Sequence, residues 1–130
     1  MPRFTFKKNE HLCGPKAIEA LFTKGQLFYT KNCKVIFSLQ PENVQSPCQV
    51  VFTVPKRSFK RAVDRNLIKR RMKEAYRTNK HTLYADLSEK NAGLHLLILY
   101  TAKEILTFDE INKNIVQAIS TLVNKTTAFN

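Results

Sequence analysis

Residues 56–80 read KRSFKRAVDRNLIKRRMKEAYRTNK, and the reading of this stretch decides what the rest of the 130-residue chain is built to hold. It contains 11 of the 22 Lys and Arg residues but only two of the 10 acids, Asp64 and Glu74, a net +9 that leaves +3 for the remaining residues. Wound at ~100° per residue, the segment separates into two stripes. Ile68, Met72, Ala75 and Tyr76 fall together as an apolar seam. Asn66, Lys69, Arg70, Lys73 and Arg77 form a row on the far side, with Arg65 and Arg71 flanking the two.

A solvated helix face normally mixes signs, because like charges four residues apart cost ~0.2–0.5 kcal/mol per pair. Here Lys69, Lys73 and Arg77 follow one another at that spacing, with Glu74 the one acid beside them. A polyanion neutralises such a row with release of counterions, which points to nucleic acid. Arg outnumbers Lys six to four over 56–77, favouring forked bonds to phosphate oxygens. Asn66 adds a donor and an acceptor able to reach a ribose hydroxyl or a base edge.

The remaining composition narrows the class. One domain with a single modest core fits the length, and residues 1–10 and 125–130 are expected to be flexible. No apolar run spans a membrane, and the first residues, MPRFTFKK, lack the apolar centre of a secretory signal. Cys13, Cys33 and Cys48 show no paired spacing, so reduced thiols in a cytoplasmic protein are expected, with neither a disulfide framework nor a zinc site. His11, His81 and His95 are equally scattered, and His95 reads as a sheet residue.

Patterning around the basic segment gives the order αβββαβα. Gly14-Pro15 opens a helix over 15–24 with Ala17, Ile18, Leu21 and Phe22 on one face and Gly25 as its stop. Residues 27–30, 34–40 and 49–54 read as strands, the last ended by Pro55, with a loop over 41–47. The basic helix spans 62–79, and 86–93 reads as a surface loop. Residues 94–100 (LHLLILY) form a strand covered on both faces. Thr107 and Glu110 then have capping-box spacing before a helix to about 123, its face formed by Phe108, Ile111, Ile115, Ala118, Ile119 and Leu122. The fold class is α+β, a single-domain sandwich of helices on a four-stranded mixed sheet, with a parallel β-α-β crossover around the basic segment.

Val54-Pro55-Lys56-Arg57, followed by the run from Ala62 to Arg77 with its Arg65-Asn66-x-x-Lys69-Arg70 core, closely resembles the signature of the protein subunit of bacterial ribonuclease P. The resemblance covers roughly 5–122 and is strongest over 50–77. It implies a left-handed crossover. It also implies a protein without a catalytic centre of its own, consistent with acids too scattered to form one. No catalytic or metal-binding residue is therefore expected. The catalytic RNA subunit would use Mg2+ to cut precursor tRNA, and the protein would bind that RNA and the 5′ leader.

On this resemblance Lys56, Arg57, Lys60, Arg61, Arg65, Asn66, Lys69, Arg70, Arg71, Lys73 and Arg77 face RNA. Ile18, Phe22 and Phe37 match positions of a leader cleft between the first helix and the sheet, Ile18 standing where the family commonly has an aromatic. Phe22 and Phe37 read equally well as core residues. The partners implied are the catalytic RNA and precursor tRNA, with no membrane and no obligate protein partner. A ribosomal or ribosome-assembly protein of related topology is the alternative.

Overall fold

The computed structural model describes residues 10, 12, 14–41 and 48–127. Its elements are α1 (Pro15–Lys24), β1 (Gln26–Thr30), β2 (Cys33–Pro41), β3 (Cys48–Thr53), α2 (Ala62–Asn79), α3 (His81–Lys90), β4 (Ala92–Tyr100) and α4 (Phe108–Thr127). The sheet runs β1-β2-β4-β3, antiparallel except for the β3–β4 pair, so the two parallel strands are joined by a crossover through α2 and α3.

The two faces of the sheet have separate cores. Val35, Phe37, Val50, Phe52, Leu96 and Ile98 point to one side, where Ile68, Met72 and Tyr76 of α2, Leu83 and Leu87 of α3, and Ile111, Ile115 and Leu122 of α4 cover them. Ile36, Leu97 and Val51 point to the other side, against Leu21, Ala17 and Ile18 of α1. This is why β4 reads as a nearly continuous apolar run: helices bury both its faces.

Gly14 takes φ 98° at the N-cap and Pro15 opens α1, as the dipeptide suggests. Gly25 ends it for a different reason from the left-handed cap that glycine usually supplies. Its φ is −73°, but a Cβ would lie 2.3 Å from the Leu21 carbonyl oxygen and 2.7 Å from an Ile36 methyl. The close approach of α1 to β2 is what requires glycine there. At α4, Thr107 Oγ1 accepts a 3.3 Å bond from the Glu110 amide, the first half of the expected capping box.

One element departs from the sequence reading. The stretch 86–93 is not a surface loop: its first part belongs to α3, so the order is αβββααβα. The signal lies across the expected boundary, in Leu83 and Leu87, which are four residues apart and fully buried. Asn91 at φ 54° closes the helix, its amide donating back to Leu87 and Ser88.

Smaller differences follow the same logic of packing. Phe108 is 37% exposed rather than on the buried face of α4. That helix continues to Thr127, with Thr126 buried and bonded to Asp86 and Lys90. Glu10 is also buried, accepting from the Lys80 ammonium and the Tyr84 hydroxyl, so neither it nor 125–127 is a loose end. Residues 1–9, 11, 13, 42–47 and 128–130 lie outside the described residues, and with them His11, Cys13, the remainder of the expected flexible ends and that of the 41–47 loop. Among the described residues no helix is long and apolar enough to cross a membrane.

Candidate RNA interface

The four side chains expected to seat α2 are its four buried residues, Ile68, Met72, Ala75 and Tyr76, each 0% exposed. Tyr76 meets Phe52 of β3 edge to face at 5.6 Å, and Met72 and Ile68 sink into the same core, which fixes the rotation of α2 about its axis. The opposite face is thereby presented outward. Asn66, Lys69, Arg70, Lys73, Glu74 and Arg77 together line a shallow groove of about 410 Å³ along it.

Charge pairing within that groove is sparse. Glu74 is tied to Arg77 by a two-point ion pair on adjacent turns, the Arg77 Nε donating at 3.1 Å. The hydrogen bond from Arg77 holds the Glu74 carboxyl below its usual range. No carboxylate among the described residues stands within ion-pair distance of Lys69, Arg70 or Lys73. Like charges so arranged repel one another, and a bound polyanion removes the repulsion.

Two arginines that flank the row turn inward to carbonyl groups. Arg65 donates from Nη1 to the backbone oxygens of Phe59 and Lys60 at 2.8 and 2.9 Å. Arg71 donates from Nη1 to the Leu106 oxygen at 2.6 Å, joining α2 to the segment ahead of α4. Both therefore shape the surface as well as charging it. Lys56, Arg57, Lys60 and Arg61 are exposed on the turn between β3 and α2. Phe59 of that turn is buried against Tyr100, 5.8 Å between ring centres, and anchors it.

Arg57 belongs to a second depression, of about 590 Å³, at the ends of β3 and β4. Pro55, Arg57 and Ser58 form one wall, and Leu99, Tyr100, Thr101 and Lys103 the other. Lys103 and Thr101 escaped the sequence reading, because a lone lysine in the stretch 101–107 carries no periodic signal.

The three positions expected in a leader cleft do not lie together. Ile18 packs against the Leu21, Ile36 and Leu97 cluster, and Phe22 is 59% exposed on the same helix. Phe37 alternates to the opposite face of β2, where it is 1% exposed and packs edge to face on Phe28 at 5.9 Å. Its expected place in the cleft is corrected: Phe37 is a core residue. The parity of β2 decides this, since Ile36 and not Phe37 shares the α1 side. On that side β1 and β2 instead present Leu27 and Tyr29, 49% and 67% exposed, with the Lys34 ammonium 6.0 Å from the Tyr29 ring centre.

No group of three or more His, Cys, Asp or Glu among the described residues could hold a metal ion. His95 is partly buried within β4, and that burial lowers its pKa. Cys33 and Cys48 are buried free thiols.

The family model for ribonuclease P matches residues 6–123. The ribonuclease P protein component of Porphyromonas gingivalis is 30% identical over 112 residues, spanning 86% of this chain and 82% of that protein. The corresponding component of Chlorobaculum tepidum is 38% identical over 97 residues, 69% of this chain and 63% of that one. The ribonuclease P protein of Thermotoga maritima superposes with a TM-score of 0.67 at 18% identity, covering 86% of this chain and 96% of its own. That of Staphylococcus aureus does so at 0.65 and 15%, covering 87% and 94%.

Proposed function

The chain belongs to the ribonuclease P protein family, and on that premise we propose that the outward face of α2 is the surface on which it receives the catalytic RNA subunit. The protein is a subunit of the ribonucleoprotein endoribonuclease that matures the 5′ end of tRNA. Its own contribution is binding and electrostatic screening. The observation that carries the proposal is the groove of Asn66, Lys69, Arg70, Lys73 and Arg77, set by the burial of Ile68, Met72 and Tyr76 behind it. Lys56, Lys60 and Arg61 extend that field around the entrance to the helix. Arg65 and Arg71 hold the loops at its two flanks while adding their charge to it.

A folded RNA brings phosphates into close mutual repulsion. Cationic side chains laid against them offset that repulsion and so reduce the Mg2+ concentration the RNA needs. On this reading Mg2+ is a ligand of the RNA, and it supplies the polarisation of the scissile phosphate and the activated water.

The 5′ leader of precursor tRNA is assigned to the α1 side of the sheet. Ile18 and Phe22 would contact it from α1, and Tyr29, with Lys34 beside it, from the sheet. An exposed aromatic stacks on a base whatever its identity, and an adjacent cation meets the phosphate. The free buried thiols of Cys33 and Cys48 are in keeping with a reducing, cytoplasmic site of action.

The test is reconstitution. The purified protein alone should leave precursor tRNA intact, and with its cognate RNA it should restore leader removal at Mg2+ concentrations too low for the RNA by itself. Cleavage by the protein without RNA would refute the assignment. A ribosomal RNA-binding role would show instead as recovery of ribosomal RNA, without ribonuclease P RNA, on copurification.

A further inference from the structure

We infer that Lys80 is a positioning residue for the leader: through Glu10 it sets where α1 stands on the sheet. The inference rests on the leader path proposed above and names what holds the helix of that path in place. Of the 11 Lys and Arg residues in 56–80, ten face RNA on the functional reading. Lys80 is the exception. It is 6% exposed, and its ammonium meets the Glu10 carboxylate, itself 5% exposed, where no phosphate reaches it.

Four parts of the fold meet at this pair. Lys80 is the one residue between α2 and α3, three positions beyond the end of the cationic row at Arg77. Its carbonyl accepts from the Tyr84 amide at 2.9 Å, and its ammonium lies 5.1 Å from the Tyr84 ring centre. The Tyr84 hydroxyl donates to the same Glu10 oxygen that Lys80 holds, and it stands 3.4 Å from the Cys48 carbonyl of β3. Two residues after Glu10, the Leu12 amide donates to the Val50 carbonyl at 2.9 Å, on the outer edge of β3. The buried Leu12 side chain then joins Leu21 of α1, Ile36 and Leu97 in the core on the α1 side of the sheet. A continuous path therefore runs from the end of α2, through Glu10 and Leu12, to α1.

The helix needs such an anchor. At 10 residues α1 is shorter than the ~12–15 that hold a helix unaided, and Leu21 is its one buried residue. Its place is set by a few neighbours and by the chain that enters it. Removing one member of a buried ion pair leaves the other buried without compensation, so the pair tolerates separation poorly. Glu10 thus holds the entry to α1 in one arrangement, and Ile18 and Phe22 take their position over the sheet from it.

The experiment compares wild type, Lys80→Met, Glu10→Gln and the double variant Glu10→Gln/Lys80→Met, with Phe22→Ala as the reference for the leader path. Hydrogen exchange of the free proteins is read first. Either single variant should speed exchange of the α1 amides about tenfold relative to those of α4. The double variant leaves no buried charge and keeps an acceptor for Tyr84, so it should return exchange toward wild type. Assembled holoenzyme is then titrated with precursor tRNA carrying a long or a single-nucleotide leader. The single variants should weaken long-leader binding about fivefold, as Phe22→Ala does, and leave the short leader and the salt slope of RNA-subunit binding unchanged. Should Lys80→Met not fold, Glu10→Gln, which retains the Tyr84 bond, carries both readouts. Wild-type exchange in α1, or faster exchange with undiminished long-leader affinity, overturns the inference. A lowered salt slope in Lys80→Met would place its ammonium on RNA and overturn it as well. Intact long-leader affinity in Phe22→Ala would instead overturn the leader path itself, and with it the role given to Lys80.

Discussion

The Arg65 guanidinium sits 2.8 Å from the carbonyl oxygen of Phe59, six residues earlier, and spans the junction between the turn and the first coil of α2. Its Nη1 is shared with the Lys60 carbonyl, so the residue at the centre of the sequence signature braces the loop that carries Lys56, Arg57, Lys60 and Arg61. Arg65→Ala should destabilise the protein by about 1.5 kcal/mol, the low end for bonds from a charged donor. Arg70→Ala, with no such bond, should leave stability within about 0.5 kcal/mol. Urea midpoints at unchanged m-value distinguish the two, and equal effects would mean that the brace is idle.

Arg71 makes the corresponding link at the other flank, to the Leu106 oxygen. Replacing it by Ala should lower the unfolding midpoint while changing the salt slope of RNA binding less than Arg70→Ala does. A larger slope change at Arg71 would place its charge, and not its bond, first.

Phe37 and Phe22 should behave oppositely. Phe37→Ala opens a cavity in the main core and should cost ~3–5 kcal/mol of stability. Phe22→Ala, on an exposed side chain, should leave stability almost untouched yet weaken holoenzyme binding to long-leader precursor about fivefold or more, the value of one lost base stack. A Phe22 variant with normal leader affinity would remove α1 from the leader path.

Burial pushes the Cys33 thiol up to about 11 and the Cys48 thiol up to about 12. The unfolded chain releases these protons near pH 9 while the folded chain retains them, so both contribute stability at neutral pH that declines as pH rises above about 9. Urea midpoints at pH 7, 9 and 10 should therefore fall in that order. Both thiols should resist alkylation at pH 8 until denaturant is added; fast labelling of either in the native protein would contradict its burial.

Much of this was legible in the sequence because α2 announces itself twice, by the 3.6-residue spacing of Ile68, Met72 and Tyr76 and by a charge row on the other side. The four buried residues of α2 are the four the spacing selects. Strand 94–100 was equally plain, its apolar run explained by helices on both faces. The α3 helix was not, because its two core contacts, Leu83 and Leu87, straddle the boundary drawn at residue 86, and DLSEKNAG alone is polar. Phe37 failed for another reason: both faces of β2 bury apolar side chains, so alternation cannot say which side a given residue takes. The inward turn of Arg65 and Arg71 depends on carbonyls brought close only by the fold, one of them 35 residues away.

The central claim is that the α2 row meets RNA phosphates. The most direct test is the salt dependence of RNA-subunit binding by the triple variant Lys69→Ala, Arg70→Ala, Lys73→Ala, whose side chains have no carboxylate partner among the described residues. Three lost phosphate contacts should reduce the slope of log K against log salt by ~2–3 units, with the fold intact. A slope equal to that of wild type would show that the RNA binds elsewhere and that this face is merely solvated.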